Sequence, residues 1–273
     1  MATVSANNRR VKRLPVAVAV AVLGLGVAAC GDDGSGGAID SSLPVIDSAV
    51  PDANTADGRI DASLPCSGQV QLTGEYVDWD STDTSFLGVA DATAVEVGNA
   101  GNTATTAPNG RVLLCLPAST DSDVSFTQAS YLPMVFSADA DVVPLGPGFS
   151  TRGLTPARAI TLAAELGVAT FTGTQVLVEV RDFTSGPPTA GIVLALPGNT
   201  FEKAFALNDS GQWIESSTSG AGGYVLFTNV ADDGLSPGSA GLRITPGGGE
   251  TCDGRSAVTL VAGGIAATSV HCL

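Results

Sequence analysis

Most of the apolar residues of this chain are cut into short runs, which leaves little room for any architecture but one of short strands. From Cys66 onward, QVQLTGEYVDW, ATAVEVGN, GRVLLCLP, TQVLVEVRDF, AGIVLALPG and GGYVLFTNV carry Val, Leu, Tyr and Phe in rough alternation over five to eight residues, and Gly, Pro, Asn or Asp punctuates them. Alternation at period two places apolar side chains on one face of a strand. Short strands separated by turn residues predict an all-β sandwich or barrel. Aromatic residues make up only 5% of the chain, so the cores are expected to be filled by Val, Leu and Ala. Trp79, Phe126, Trp213 and Phe227 are the expected core anchors.

The order of these runs occurs twice. GVADATAVEVGNAGNTATTAPNGRVLLCLP leads from a polar turn into a strand, a polar stretch, the turn Asn109-Gly110 and a second strand. PPTAGIVLALPGNTFEKAFALNDSGQWIESSTSGAGGYVLFTNV repeats that order with a longer insertion before Gly222-Gly223. Glycine reaches positive φ without steric cost, which suits both turns.

This arrangement resembles the carboxypeptidase regulatory-like, transthyretin-like β-sandwich domains. In the first copy Gly88-Val89, Thr105-Thr106, Gly110 and Val112-Leu114 carry the likeness; in the second, Gly191-Ile192-Val193, Thr218, Gly223 and Tyr224-Phe227 do. The resemblance implies two tandem Ig-like or transthyretin-like sandwiches, residues 66–150 and 174–273, acting as accessory or adhesive modules and not as catalysts. A connecting helical segment, residues 151–173, separates them. Within it LTPARAITLAAELGV reads as a helix: Thr155 suits the N-cap, Pro156 the first helical position and Gly167 the C′ position. Ile160, Ala163, Ala164 and Gly167 are expected on its packed face, with Arg158 and Glu165 elsewhere.

The chain before Cys66 has a different texture. Arg9, Arg10, Lys12 and Arg13 precede an apolar run from Leu14 to Ala29 that is shorter than the roughly 20 residues needed to span a bilayer. This is the layout of a signal peptide, residues 1–29. Its end, Val27-Ala28-Ala29-Cys30, resembles the lipobox of bacterial lipoproteins, which implies cleavage before Cys30 and a diacylglyceryl group on its sulfur. Two acyl chains make membrane residence stable where one does not. Gly31 follows the cysteine, so outer-membrane or cell-surface placement is expected. Residues 30–65 contain no aromatic residue and no sustained period, and read as a disordered acidic tether with a span of roughly 30–35 Å.

Charge narrows the partners. The four basic residues of the signal leave 8 Lys and Arg against 27 Asp and Glu from Cys30 onward, a formal charge of −19. Such a chain repels nucleic acid, and nucleic-acid binding is set aside. The expected partners are the membrane, through the lipid anchor, and an envelope protein or polysaccharide.

Removing the anchor from five cysteines leaves Cys66, Cys115, Cys252 and Cys272, an even set suited to an oxidising compartment. Four cysteines allow three connectivities. Cys66–Cys115 and Cys252–Cys272 are favoured because each pair stays within one copy and because Cys252 and Cys272 flank a hairpin-like stretch centred on Gly263-Gly264. No CxxC spacing suggests zinc.

His271 is the chain's one histidine, which excludes sites needing two imidazoles within one chain. No GxSxG elbow, P-loop or dinucleotide fingerprint is present. No catalytic residue and no cofactor are assigned. Asp78, Asp80 and Asp83, with Asp139 and Asp141 in another loop, have the oxygen chemistry of a Ca²⁺ site but lack the EF-hand pattern, and solvated acidic loops are the expected reading, with no metal assigned. The leading expectation is a non-enzymatic, lipid-anchored envelope protein. The alternative is a secreted hydrolase, or an accessory subunit of one, that acts on polysaccharide through paired carboxylates.

Overall fold

Seventeen strands and one helix follow one another in the computed structural model, which describes residues 66, 69–82, 85–139, 149–182, 188–234 and 236–273. The first seven strands are β1 (Gln69–Asp78), β2 (Thr93–Glu96), β3 (Asn99–Thr105), β4 (Arg111–Pro117), β5 (Ser122–Thr127), β6 (Met134–Ala138) and β7 (Phe149–Gly153). Helix α1 (Pro156–Leu166) comes next, then β8 (Thr174–Asp182), β9 (Val193–Ala195), β10 (Lys203–Leu207), β11 (Trp213–Glu215) and β12 (Tyr224–Val230). The last five are β13 (Ser239–Gly241), β14 (Arg243–Thr245), β15 (Cys252–Gly254), β16 (Ala257–Thr259) and β17 (Ile265–Cys272). The predicted signal peptide, Cys30 and the tether lie outside the described residues.

A small sheet has the order β4-β1-β7, with β1 antiparallel to β4 and parallel to β7. A long sheet runs β11-β10-β12-β8-β17-β6-β5-β2-β3, and β15 pairs with the far end of β17. Two further pairs, β13-β16 and β14-β9, complete the strands. The long sheet separates two cores. On one side Leu72, Tyr76, Val112, Leu114 and Phe149 from the small sheet join Ala94, Val124, Phe126, Met134 and Phe136 from the long one. On the other, Val176, Val178, Val180, Val225 and Phe227 join Ile192, Leu194, Ala240, Leu242 and Val258 from the segments that carry the short pairs.

Strand β8 shows why the sequence permits this. Val176, Val178 and Val180 enter the second core while Leu177 enters the first, so TQVLVEV is buried along its length. Such two-sided strands read as continuous apolar runs and suit parallel neighbours. Strand β17 is that neighbour, parallel to β8 on one edge and to β6 on the other.

The repeated order read from the sequence has a hydrogen-bonded counterpart. The Tyr76 amide donates to the Gly110 carbonyl, and the Val89 amide to the Tyr76 carbonyl; the Val180 amide donates to Gly223, and the Thr189 amide to Val180. The Asp91 amide donates to the Thr106 carbonyl and the Ala92 amide to the Thr106 hydroxyl; the Gly191 and Ile192 amides do the same to Ser219. Gly110 and Gly223 adopt φ of 74° and 72°, and a side chain at Gly110 would strike the Tyr76 carbonyl. The equivalences differ in detail from those expected: Gly191 matches Asp91, which also has positive φ, and Ser219 matches Thr106. At Thr106 and Ser219 the shared requirement is a hydroxyl that accepts a backbone amide, and at Asp91 and Gly191 a backbone of positive φ.

The boundary expected between the two sandwiches does not interrupt the long sheet, because β17 lies between β8 and β6. Arg255 reinforces the join: its guanidinium donates to the Ala138 carbonyl at 3.1 Å and pairs with Asp121 at 3.3 Å.

Helix α1 has the expected caps. The Thr155 hydroxyl accepts from the Arg158 amide, Pro156 opens the first turn and Gly167 closes the helix at φ 62°. Its buried face is Ala159, Leu162, Ala163 and Leu166, one position away from the expected set, and Ile160 is 67% exposed. Both sets satisfy the i, i+3, i+4, i+7 rule. The two leucines lie on one stripe only in the observed register.

Candidate functional site: a cleft beside the small sheet

An open cleft of about 1350 Å³ is lined by β1, β7, β8, β12, α1 and the turn between β10 and β11. Glu75, Val77 and Trp79 come from alternate positions of β1 and its end, and Glu179 and Arg181 from alternate positions of β8. Glu75 and Glu179 occupy equivalent places in the repeated pattern. Glu75 faces Arg111 across β1 and β4, and Glu179 faces Tyr224 across β8 and β12.

Most charged groups of the cleft are held in ion pairs; Arg152 and the exposed Asp209 are not among them. Glu75 accepts from Arg111 at 3.2 Å; Arg158 meets Asp80 at 2.9 Å and Glu165 at 3.0 Å. Glu179 is the buried carboxylate, with 4% of its side chain exposed, and it accepts from Arg181 Nη2 at 2.6 Å, Tyr224 Oη at 2.7 Å and the Ser150 amide at 3.1 Å. Burial pushes the Tyr224 hydroxyl up to about 12, and the Glu179 charge adds to the rise. Tyr224 therefore stays protonated and donates to Glu179. Arg152 donates to the carbonyls of Trp79 and Ser81, and its guanidinium lies 4.9 Å from the centre of the Tyr224 ring.

Trp79 and Trp213 stack with ring centres 5.8 Å apart and planes 23° from parallel. Of the expected core anchors, Phe126 and Phe227 are fully buried, and Trp79 is 4% exposed. Trp213 is partly buried: it packs against the first core from edge strand β11 and also borders the cleft.

The acidic residues singled out in the sequence take separate places. Asp78 accepts from the Tyr131 hydroxyl at 2.8 Å and from the Asp80 amide at 3.0 Å, while Asp80 turns to Arg158. Asp83 and Asp141 lie outside the described residues, and Asp139 ends the described stretch after β6. Among the described residues no group of three or more His, Cys, Asp or Glu is placed to hold a metal.

Cys66 is bonded to Cys115, and Cys252 to Cys272. The second bond joins residues opposite each other in the β15–β17 pair, with Cα atoms 4.0 Å apart. The hairpin expected between them is partial, since β16 leaves to pair with β13. His271 is 2% exposed, opposite Arg181 in the sheet, and burial followed by the Arg181 charge lowers it to about 4. It is a neutral core side chain near neutral pH.

The sequence assigned no role in a site to Arg152, Arg158, Glu179 or Tyr224: Arg158 was read only as lying off the packed face of the helix, and Tyr224 only as part of the repeated motif. Glu179 had a signal: a lone charge inside the apolar run of β8 requires a buried partner.

No family model and no curated protein matches this chain. Solved structures with some likeness include the Bacillus anthracis TIE protein, 13% identical over 74% of this chain and 34% of that one, with a TM-score of 0.25. Shaft pilin SpaA from Lactobacillus rhamnosus GG is 12% identical over 75% of this chain and 97% of that one, with a TM-score of 0.22. The Streptococcal ancillary pilin is 12% identical over 79% and 64%, with a TM-score of 0.20. This chain thus spans about a third of the TIE protein's length. Likeness at these values fixes neither topology nor function. What the described residues themselves define is a β-rich protein with one helix, two cores on opposite sides of a shared sheet, and a cleft in which four of five carboxylates are held by arginines. Among the described residues no helix is long and apolar enough to cross a membrane.

Proposed function

We propose that this chain is a non-enzymatic, lipid-anchored protein of the cell envelope, a binding or structural module built from two transthyretin-like sandwiches, 66–150 and 174–273, fused through β17. Cys30 is its lipidation site and residues 1–29 its signal peptide; the anchor holds it at the outer membrane or cell surface. Its partner is an envelope protein or polysaccharide. The observation that carries the non-enzymatic reading is the state of Glu179. A catalytic carboxylate must reach substrate with a free oxygen or proton, whereas Glu179 is buried and bound by Arg181, Tyr224 and a backbone amide. The cleft is built to hold a shape.

Two measurements test this reading. Palmitate labelling of the full chain should be lost in Cys30→Ser, with precursor accumulating; label that persists overturns the anchor. Incubation of the purified chain with envelope polysaccharide should release no reducing ends. The second reading, a carboxylate hydrolase, draws on Glu75 and Glu179 lining one cleft. Release of reducing ends that disappears in both Glu75→Gln and Glu179→Gln would establish it.

A further inference from the structure

We infer that the cleft is a binding site for a neutral oligosaccharide, with Trp213, backed by Trp79, as the platform for a sugar ring. The inference rests on the binding-module reading and names its ligand class.

Charge comes first. The described residues lining the cleft include five carboxylates and three arginines, in a chain of formal charge −19 from Cys30 onward, so a polyanion is repelled. A cationic peptide fares little better. Four of the five, Glu75, Asp80, Glu165 and Glu179, are each already engaged by an arginine, and the fifth, Asp209, is an exposed turn residue that accepts from the Ser210 hydroxyl. Beyond a single exposed contact at Asp209, a cation would have to break those pairs to gain its own.

An apolar ligand is excluded for the opposite reason. Asp80 and Glu165 keep about half of their side chains exposed, at 53% and 51%, and covering them without hydrogen bonds would forfeit their hydration. What remains is a neutral molecule with apolar faces and many hydroxyls. A pyranose presents C–H groups to an aromatic face, and its hydroxyls donate to paired carboxylates while accepting from guanidinium. The Trp213 indole is held flat by Trp79 before any ligand arrives, so little ordering is needed on binding. A volume of about 1350 Å³ exceeds the roughly 300–1,000 Å³ of small-molecule pockets, which suits several linked sugars.

Trp79 and Trp213 are the only two tryptophans of the chain, so intrinsic tryptophan fluorescence reports on this cleft alone. The full chain should be titrated with cellohexaose, maltohexaose, mannohexaose and chitohexaose, with hexagalacturonate and hexalysine as the charged counterparts. A saturable spectral change is expected with at least one neutral hexasaccharide. Trp213→Phe, which keeps an aromatic ring against Trp79, should weaken that binding about fivefold to tenfold by calorimetry, since the smaller ring loses stacking area. No saturable response to any of the neutral sugars, or tighter binding of either charged probe, overturns the inference. Binding accompanied by shortening of the sugar overturns the non-enzymatic reading and leaves the site standing. Binding without palmitate labelling removes the anchor and leaves the site standing too.

Discussion

Two buried residues set the energetics at the scale of single side chains. Glu179 is held by Arg181, Tyr224 and the Ser150 amide, so Glu179→Gln leaves Arg181 without its counter-charge in a largely buried position. Removing one partner of a buried pair costs about 3–5 kcal/mol. Because a quarter of the Arg181 side chain remains exposed, the expected loss is nearer about 2–3 kcal/mol, read as a lower urea midpoint with unchanged slope. His271 gives a pH signature. Its folded value is lowered from 6.5 to about 4, so the unfolded chain takes up the proton first as pH falls. The stability contributed by neutral His271 is complete above about 6.5, declines between about 6.5 and about 4, and is gone below. Over that window it amounts to about 3 kcal/mol. Urea titrations across pH 4–7 should show this slope, and it should flatten in His271→Gln.

Helix α1 turns a one-position difference into a measurable contrast. Leu162 is fully buried and Ile160 is 67% exposed, so Leu162→Ala should cost about 2–5 kcal/mol while Ile160→Ala stays within about 0.5 kcal/mol. The opposite ranking would restore the register expected from sequence. Thr155→Ala removes the cap accepted by the Arg158 amide and should cost about 1 kcal/mol. Among the strands, the Cys252–Cys272 bond closes a separation of 20 residues and Cys66–Cys115 one of 49. In the chain-entropy account these contribute about 3 and about 4 kcal/mol. Replacing Cys66 and Cys115 by alanine should therefore lower the thermal midpoint more than replacing Cys252 and Cys272.

For the molecule as a whole, the shared sheet makes the two halves interdependent. Strand β17 supplies a neighbour for β6, and Leu177, Leu226 and Ile265 belong to the same core cluster as Tyr76 and Phe126. A fragment 66–153 loses that neighbour and part of its core; a fragment 174–273 exposes the far face of β8 and β12. Neither should give a dispersed amide spectrum alone, and a dispersed spectrum from either would establish independent folding.

Features that depend on near neighbours along the chain were legible in its residues alone. Short apolar runs cut by turn residues marked strands such as β1, β4, β8 and β12. Thr155, Pro156 and Gly167 marked the ends of α1, and the positive-φ glycines 110 and 223 marked the turns that bring each repeat back on itself. The cysteine pairing also followed, because each bond closes within a stretch whose strands already approach one another. Only packing set the place of β17 between β8 and β6. A strand buried on both faces, with partners on both sides, carries no sequence mark of whose sheet it joins. It also decided the buried stripe of α1, where two adjacent registers fit the same period, and the cleft, whose ion pairs join residues as far apart as Asp80 and Arg158. A side chain's partner across such a distance is fixed by packing, and packing exists only once the chain has folded.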